Sequence, residues 1–362
     1  MVKKGLTFVL LCLLGMMAFF VTDGMESFEW DEIETKLSAL STFVDDEQEK
    51  ASEQVIQDPV LDESDSRGIY GVYIGQSASE ALTILGSPQR KEPSALGYEW
   101  WVYQRDGVHF LQIGVTDDGQ IVDLYSASED WRYQGIALGT SEEIRNEQIS
   151  FAPNISFTYD GADFTLTDAI NERALTIIDD IPVLFYLDQH DDNKVAGIRF
   201  IAKEYLVKSK LYAIRWTYFA TQPDTQPPAL TAEQQADVER GIERQIFDLT
   251  NGTRARLGLP LLQWNEQAAE VARAHSADMR QGDFFDHVSA TTGLDPFERL
   301  RQHGTTFRAA GENIAMGYMD AIETHHGWMN SLGHRENIIH PQFSTLGVGV
   351  VGIYSAQNFV TP

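Results

Sequence analysis

The chain has 362 residues, 43% hydrophobic and 11% aromatic, with a single cysteine and a formal net charge of −27. That length exceeds one ordinary core and predicts two folded domains plus connectors. The charge argues against nucleic acid and anionic lipid headgroups as general partners, because both repel an acidic surface. It is also uneven: residues 23–66 hold 15 acidic and 2 basic residues, whereas residues 227–362 hold 16 and 10.

The amino terminus reads as a membrane segment. Lys3 and Lys4 precede an apolar run from Leu6 to Val21, and acidic sequence follows it. Positive charge before the run and negative charge after it place the amino end in the cytoplasm and the bulk outside. The run is close to the lower limit of about 17 residues for a spanning helix. No Ala-x-Ala signature follows it, which favours an uncleaved anchor over residues 1–22; a cleaved signal, and hence secretion, is the alternative. Cys12 follows Leu11 rather than a small residue, so it does not read as a lipidation site. Beyond it the chain has no cysteine, which excludes disulfides and thiolate zinc sites there. Residues 23–67 read as a solvated acidic spacer, with Phe28, Trp30, Ile33, Leu37 and Leu40 at partly helical spacing.

Residues 68–215 contain an internal repeat. Gly71 to Ser77 matches Gly135 to Ser141 at an offset of 64, and Asp117 to Leu124 matches Asp191 to Ile198 at an offset of 74. Each unit is expected to start with a serine-capped helix, Ser77 being the first cap, and to continue into alternating segments joined by Asp-Gly or Asp-Asn turns. This predicts an α+β module built twice. Asp188, His190, Asp191 and Asp192 can attract calcium, but the spacing lacks the glycine and terminal glutamate of an EF-hand and reads better as a solvated turn. His109 reads as an ordinary strand residue. Trp100, Trp101 and Tyr103 can line a binding face, although strand aromatics more often fill cores.

A Pro-rich linker occupies residues 216–230, with three prolines between Thr221 and Leu230. Thr231 then caps a helix to about Arg256, stopped at Leu257-Gly258. A second helix is expected from Glu266 to Arg280 with Arg273 outward, and a third around Ile322 to Ser331. An alternating strand covers Phe343 to Val351, and Asn358-Phe359-Val360 closes the sheet.

Three polar residues in this last third sit in distinctive settings: His287 in Phe-Phe-Asp-His-Val-Ser, Glu312 in Gly-Glu-Asn-Ile-Ala, and His334 in Gly-His-Arg-Glu-Asn-Ile. With them stand Asn251-x-x-Arg254, Leu261-Leu262-x-Trp264, Ala272-x-Ala274-His275-Ser276-x-x-Met279, Trp328-Met329-Asn330-Ser331 and Gln357-Asn358-Phe359. This ordered set resembles the CAP superfamily (SCP, pathogenesis-related-1-like) over residues 231–362, in its cysteine-free bacterial form. The region ahead of it resembles the domain that precedes CAP domains in Bacillus-type surface proteins. The resemblance implies an α-β-α sandwich with a cleft lined, in animal and plant members, by two histidines and two glutamates. Carried over by motif, His287 and Glu312 match the first histidine and the Gly-Glu-Asn acid. Ser331 stands at the second glutamate, and Tyr354 best matches the second histidine. His334 belongs to the Gly-His-Arg-x-Asn signature of bacterial members.

Chemically, His287 and His334 can give two neutral nitrogens to zinc or another divalent cation, with Glu312 as ligand, orienting group or general base. The alternative is that all three pin loops. No His-Glu-x-x-His or Gly-x-Ser-x-Gly motif is present, and a Cys-His nucleophile is excluded. Among the other histidines, His275 is expected in the core, at least one of His325 and His326 to face away from it, and His303 and His340 at the surface. Arg335 can pair with Glu312 or contact an anionic ligand. The leading expectation is a membrane-anchored, outward-facing, non-enzymatic module binding a surface protein, peptide or lipid-like ligand. The alternatives are a metal-dependent hydrolase of envelope peptides, and an interaction protein whose specificity lies in residues 68–215.

Overall fold

The computed structural model describes residues 66–362. The acidic spacer before Ser66 and the membrane segment over residues 1–22 lie outside the described residues. Among those described, no helix is long and apolar enough to cross a membrane.

The first half is built on β-strands. A short hairpin of β1 (Gly68–Ile69) and β2 (Val72–Tyr73) leads to α1 (Ala78–Leu85). Ser77 caps that helix in a reciprocal box with Glu80. Then come β3 (Arg90–Pro93), β4 (Glu99–Arg105), β5 (Val108–Val115) and β6 (Ile121–Ser126). The next stretch has α2 (Glu142–Gln148), capped by Ser141, then the hairpin β7 (Asn154–Tyr159) and β8 (Ala162–Thr167). It ends with β9 (Arg173–Ile178), β10 (Ile181–Asp188), β11 (Lys194–Ile201), α3 (Lys203–Ser209) and β12 (Ala213–Tyr218). Seven strands form one antiparallel sheet in the order β3-β4-β5-β6-β11-β10-β9, while β12-β8-β7 form a small second sheet. The two segments matched in sequence, 117–124 and 191–198, lead into the adjacent central strands β6 and β11, which pair with Ile198 opposite Ser126.

The second half runs α4 (Ala232–Arg256), β13 (Gln263–Trp264), α5 (Glu266–Gly282), α6 (Pro296–Gln302) and β14 (Ala309–Met316). It continues with α7 (Ala321–Met329), α8 (Leu332–Ile338), β15 (Thr345–Val351) and β16 (Tyr354–Thr361). The sheet order is β13-β15-β16-β14. Alternation along β15 divides its faces: Leu346, Val348 and Val350 pack with Ile242 and Ile246 of α4 and with Ile322 and Trp328 of α7. Gly347 and Gly349 turn to α5, where an added Cβ would lie 2.1 Å from the Ala269 amide nitrogen and 2.0 Å from that of Arg273. The small face of α5 therefore meets a strand with no side chains at those points. These three layers are the α-β-α sandwich that the resemblance implies.

The Asn251-x-x-Arg254 motif is structural. Asn251 exchanges hydrogen bonds with the Leu262 backbone in both directions. Fully buried Arg254 donates to the carbonyls of Pro260, Ile338, His340 and Phe343, tying three loop segments to α4.

The two halves share a core, which the linker composition did not suggest; the described residues, 66–362, fall within one compact unit. Trp100, Tyr125 and Tyr186 of the large sheet, with Tyr98 just before β4, belong to the same apolar cluster as Ile242, Ile322 and Trp328. Trp101 and Tyr103 point to the opposite face and join the cluster around Leu111 and Phe185. With both faces covered, β10 reads Ile-Pro-Val-Leu-Phe-Tyr-Leu-Asp and is buried over nearly its whole length. All three aromatics from Trp100 to Tyr103 are thus core residues and line no binding face.

Charged pairs cross the same seam. Arg199 and Asp123, both wholly buried, pair at 2.7 Å, and Arg199 reaches Asp320 at the start of α7 at 2.9 Å. Glu323 accepts from Arg173 and Tyr186, and Arg335 pairs with Asp188 at 2.9 Å. The expected acidic turn after β10 is therefore partly an interdomain contact. Arg335 finds Asp188 in place of Glu312.

This docking corrects the expectation for His325 and His326. Both are buried, because α7 is covered by α4 on one side and by the large sheet on the other. His325 Nε2 meets the Thr253 hydroxyl at 2.9 Å. His326 stacks on Tyr186, with ring centroids 4.0 Å apart, and meets the Tyr125 hydroxyl at 2.8 Å. His303 is exposed, as expected, and His340 is half-buried against Phe343.

Candidate functional site

The site lies along the outer edge of β14, the edge strand of the four-stranded sheet β13-β15-β16-β14. Glu312 sits on this strand opposite Asn358 of β16, on the face turned to α5. Its side chain is 2% exposed, and both oxygens are occupied. Arg299 of α6 donates to Oε2 at 2.7 Å, and His287 Nδ1 lies 2.9 Å from Oε1. Arg299 also donates to the carbonyls of His287 and Leu294, so one guanidinium fixes both the carboxylate and the loop that carries the histidine.

This arrangement sets the tautomer of His287. A carboxylate held by arginine accepts hydrogen bonds, so Nδ1 of His287 carries the proton and donates it. In the neutral ring Nε2 then keeps the lone pair, on a side chain that is 47% exposed. His334, in α8, places its ring centroid 6.4 Å from that of His287. Burial and the neighbouring His287 hold the His334 pKa below the usual imidazole range, so its ring is neutral near pH 7. α8 is bound to the strand edge through Asn337, which donates to the Glu312 carbonyl and to Asn313 Oδ1, and through Asn313, which donates to the His334 carbonyl. The asparagines of the Gly-Glu-Asn and His-Arg-Glu-Asn signatures are thus the fasteners that bring the two imidazoles together.

His275 stands behind this group. It is buried on α5, and its Nε2 donates to the Asp286 carbonyl at 3.0 Å, bracing the segment before His287. Burial lowers its pKa, Glu312 pulls it back up and Arg299 pushes it down.

The structure brings His287, Glu312 and His334 together and separates them from Tyr354. Tyr354 starts β16 opposite Met316, four strand positions from Glu312 or ~13 Å at the usual rise. It is buried with Ala272, Met279 and Ile314. Ser331 is the cap residue of α8 without a side-chain capping bond, three residues before His334. Arg273, expected outward, is half-buried and pairs with buried Glu243 at 2.9 Å. Arg299 was missed in the sequence; its signal is the Asp295-Pro296-x-Glu298 box that starts α6 and sets the guanidinium toward β14.

Among the described residues, no group of three or more His, Cys, Asp or Glu side chains is arranged to hold a metal ion. Glu312 has spent its oxygens on Arg299 and His287. A cation here would have the two imidazoles as its protein ligands and water in its other positions.

A CAP sandwich fused to a β-rich partner defines the class, and comparisons with known proteins agree. Residues 247–361 match the Cysteine-rich secretory protein family (CAP), and residues 74–212 match the CAP-associated N-terminal family. The chain belongs to the CAP family. It is 33% identical to the "Uncharacterized membrane protein YlbC" of Bacillus subtilis (strain 168), over 80% of this chain and 82% of that protein. Among solved structures, an extracellular protein containing an SCP domain from Bacillus anthracis str. Ames superposes with a TM-score of 0.73 at 33% identity, covering 80% of this chain and 94% of that one. A cysteine-rich secretory protein from Staphylococcus aureus subsp. aureus Mu50 shares the fold, with a TM-score of 0.67 at 20% identity over 80% and 91% of the two chains.

Proposed function

We propose that this chain is a membrane-anchored, extracytoplasmic CAP protein whose His287–Glu312–His334 edge binds a protein, peptide or other envelope ligand without catalysing a reaction. The observation that carries the reading is the double occupation of Glu312. A carboxylate clamped by Arg299 and His287 orients an imidazole and is not free to take a proton from water. His334, rather than Tyr354, is the second polar ring beside His287. Ser331 then remains as the changed acidic position, and two-carboxylate chemistry has no second member.

Location rests on the charge pattern around residues 6–21. It is supported by the Bacillus subtilis relative, which is named a membrane protein, and by the Bacillus anthracis relative, which is described as extracellular. The 68–215 module is a tandem duplication: on either side of the central pair, β5 and β4 follow β6 as β10 and β9 follow β11. Ser77 and Ser141 cap the equivalent helices, and the β7–β8 hairpin accounts for the longer offset of the second match.

Zinc binding by the imidazole pair is the second reading, supported by the bare Nε2 of His287 and the neutral ring of His334. Calorimetry on the full chain tests both readings. Zinc is expected to bind at micromolar strength or weaker and to lose at least about tenfold in affinity in His287→Ala. Casein and a synthetic cell-wall peptide are expected to stay intact with or without chelator. Chelator-sensitive cleavage that His287→Ala abolishes would replace the binding reading with hydrolysis.

A further inference from the structure

A cavity lies in the seam between the halves, away from the β14 edge. Its volume is about 410 Å³, within the range of ligand pockets, and it opens between β10, the segment after β6 and the inner faces of α4 and α7. Leu187, Leu249 and Met329 give it an apolar wall, and His109, His325 and His326 line its depth. Burial drives the pKa of His109 down to about 4 and that of His325 to about 3, with His326 also far below its usual value. These three rings therefore bring no charge near pH 7. His325 Nδ1 is buried there without a hydrogen-bond partner among the described residues.

Two charges in the cavity are unspent. Arg256, at the end of α4, donates to the Ala127 carbonyl at 3.2 Å, and among the described residues no carboxylate lies within ion-pair distance of it. Burial presses its pKa down, offset by Tyr125, Glu129 and Asp188, yet a guanidinium remains charged. Glu129, at the mouth, has no side-chain partner among the described residues. The other carboxylates are engaged: Asp130 accepts from Tyr70 at 2.6 Å and from Arg105, and Asp188 is held by Arg335. Glu129 is near enough to stabilise the Arg256 charge and too far to pair with it.

A half-buried cation and an exposed anion lining one cavity, with no ion pair between them, complement a molecule with the opposite pair. We propose that this seam cavity binds a small zwitterion of the amino-acid or short-peptide class, its carboxylate on Arg256, its ammonium toward Glu129 and its apolar part against Leu187, Leu249 and Met329. A dianion such as phosphate would meet Glu129 and the flanking Asp130 and Asp188 and is disfavoured. The site is independent of the His287 edge and stands or falls without it.

The test is calorimetry, with imidazole NMR of His325 and His326, on the full-length protein in nanodiscs. The probes are alanyl-alanine, its carboxamide, which lacks the carboxylate, and its N-acetyl form, which lacks the ammonium. Alanyl-alanine is expected to bind at about millimolar strength and to shift the His325 signal, and the carboxamide to bind at least about tenfold more weakly. Arg256→Ala should cost the same factor, with unchanged circular dichroism as the control for folding. Glu129→Gln, at an exposed position, should weaken alanyl-alanine severalfold and leave the N-acetyl form unchanged. Absence of alanyl-alanine binding, equal binding of the carboxamide, or indifference to both substitutions would overturn the proposal and leave a water-filled seam.

Discussion

Three histidines sealed between two halves of one protein make its stability depend on pH, in a direction fixed by their environment. His109, His325 and His326 are held neutral chiefly by burial, and nearby guanidinium groups add to the cost of protonating them: Arg90 at His109, Arg256 at His325, and Arg256, Arg173 and Arg199 at His326. In the unfolded chain each titrates near about 6.5. The unfolded state therefore binds more protons below that value, and stability that is fully present above it is lost as pH falls toward about 4 for His109 and about 3 for His325. Between about pH 7.5 and about pH 5.5 each ring contributes a loss of roughly 1.4 kcal/mol, or ~4 kcal/mol for the three. That is a large share of a typical total of about 5–15 kcal/mol. His275 and His334, also lowered, act in the same direction, whereas buried Asp123, Glu243 and Asp248, with raised values, oppose it as pH nears their range. Guanidinium denaturation at the two pH values measures the loss, and each single substitution to Gln should remove about a third of the three-ring part. A change below about 1 kcal/mol, or single variants that keep the full loss, would mean that these rings are not held neutral in the seam.

Other consequences can be measured with the same protein. Arg199→Ala removes the guanidinium that pairs with Asp123 and Asp320 in the seam and should cost about 3–5 kcal/mol in denaturant unfolding, whereas Arg199→Met with Asp123→Leu should recover part of it. Gly347→Val drives a side chain into the α5 backbone and should abolish soluble expression, while Gly333→Ala, with nothing within 4 Å, should be neutral by thermal melting. Arg299→Ala frees one Glu312 oxygen and the His287 loop and should cost about 2–4 kcal/mol, with faster amide exchange over residues 285–289. Removal of residues 68–218 uncovers the apolar faces of α4 and α7 and should yield an aggregating sandwich, read by light scattering.

Much of this architecture was legible because its signals are local. Thr231 and Gln234 form the capping box at the start of α4, Gly258 follows its end with a positive φ, and the alternation of Leu346, Val348 and Val350 makes β15. The candidate residues His287, Glu312 and His334 were legible as motifs, but their roles depend on contacts far apart in sequence. Arg299 reaches Glu312 across 13 residues from a helix too short to leave a periodic pattern. Likewise, the strand Ala309–Met316 reads Ala-Ala-Gly-Glu-Asn-Ile-Ala-Met, with small and polar residues where β-branched ones are usual. The shared core was hidden for a different reason. Faces that cover each other leave strands and helices uniformly apolar, so Tyr98, Trp100 and Tyr186 look the same whether they pack within a domain or between two. His325 and His326 show the cost of that ambiguity: helix geometry sets their directions about 100° apart, but only the docked sheet makes both directions inward.

The binding reading turns on the tautomer of His287, which ring-nitrogen NMR of the full chain near pH 7 observes directly. A protonated Nδ1 and a bare Nε2 are expected, with the Nε2 signal shifting when zinc is added and the state of His287 becoming mixed in Arg299→Ala. A His287 protonated at Nε2, with Glu312 free of it, would overturn the binding reading and return the carboxylate to the role of a general base.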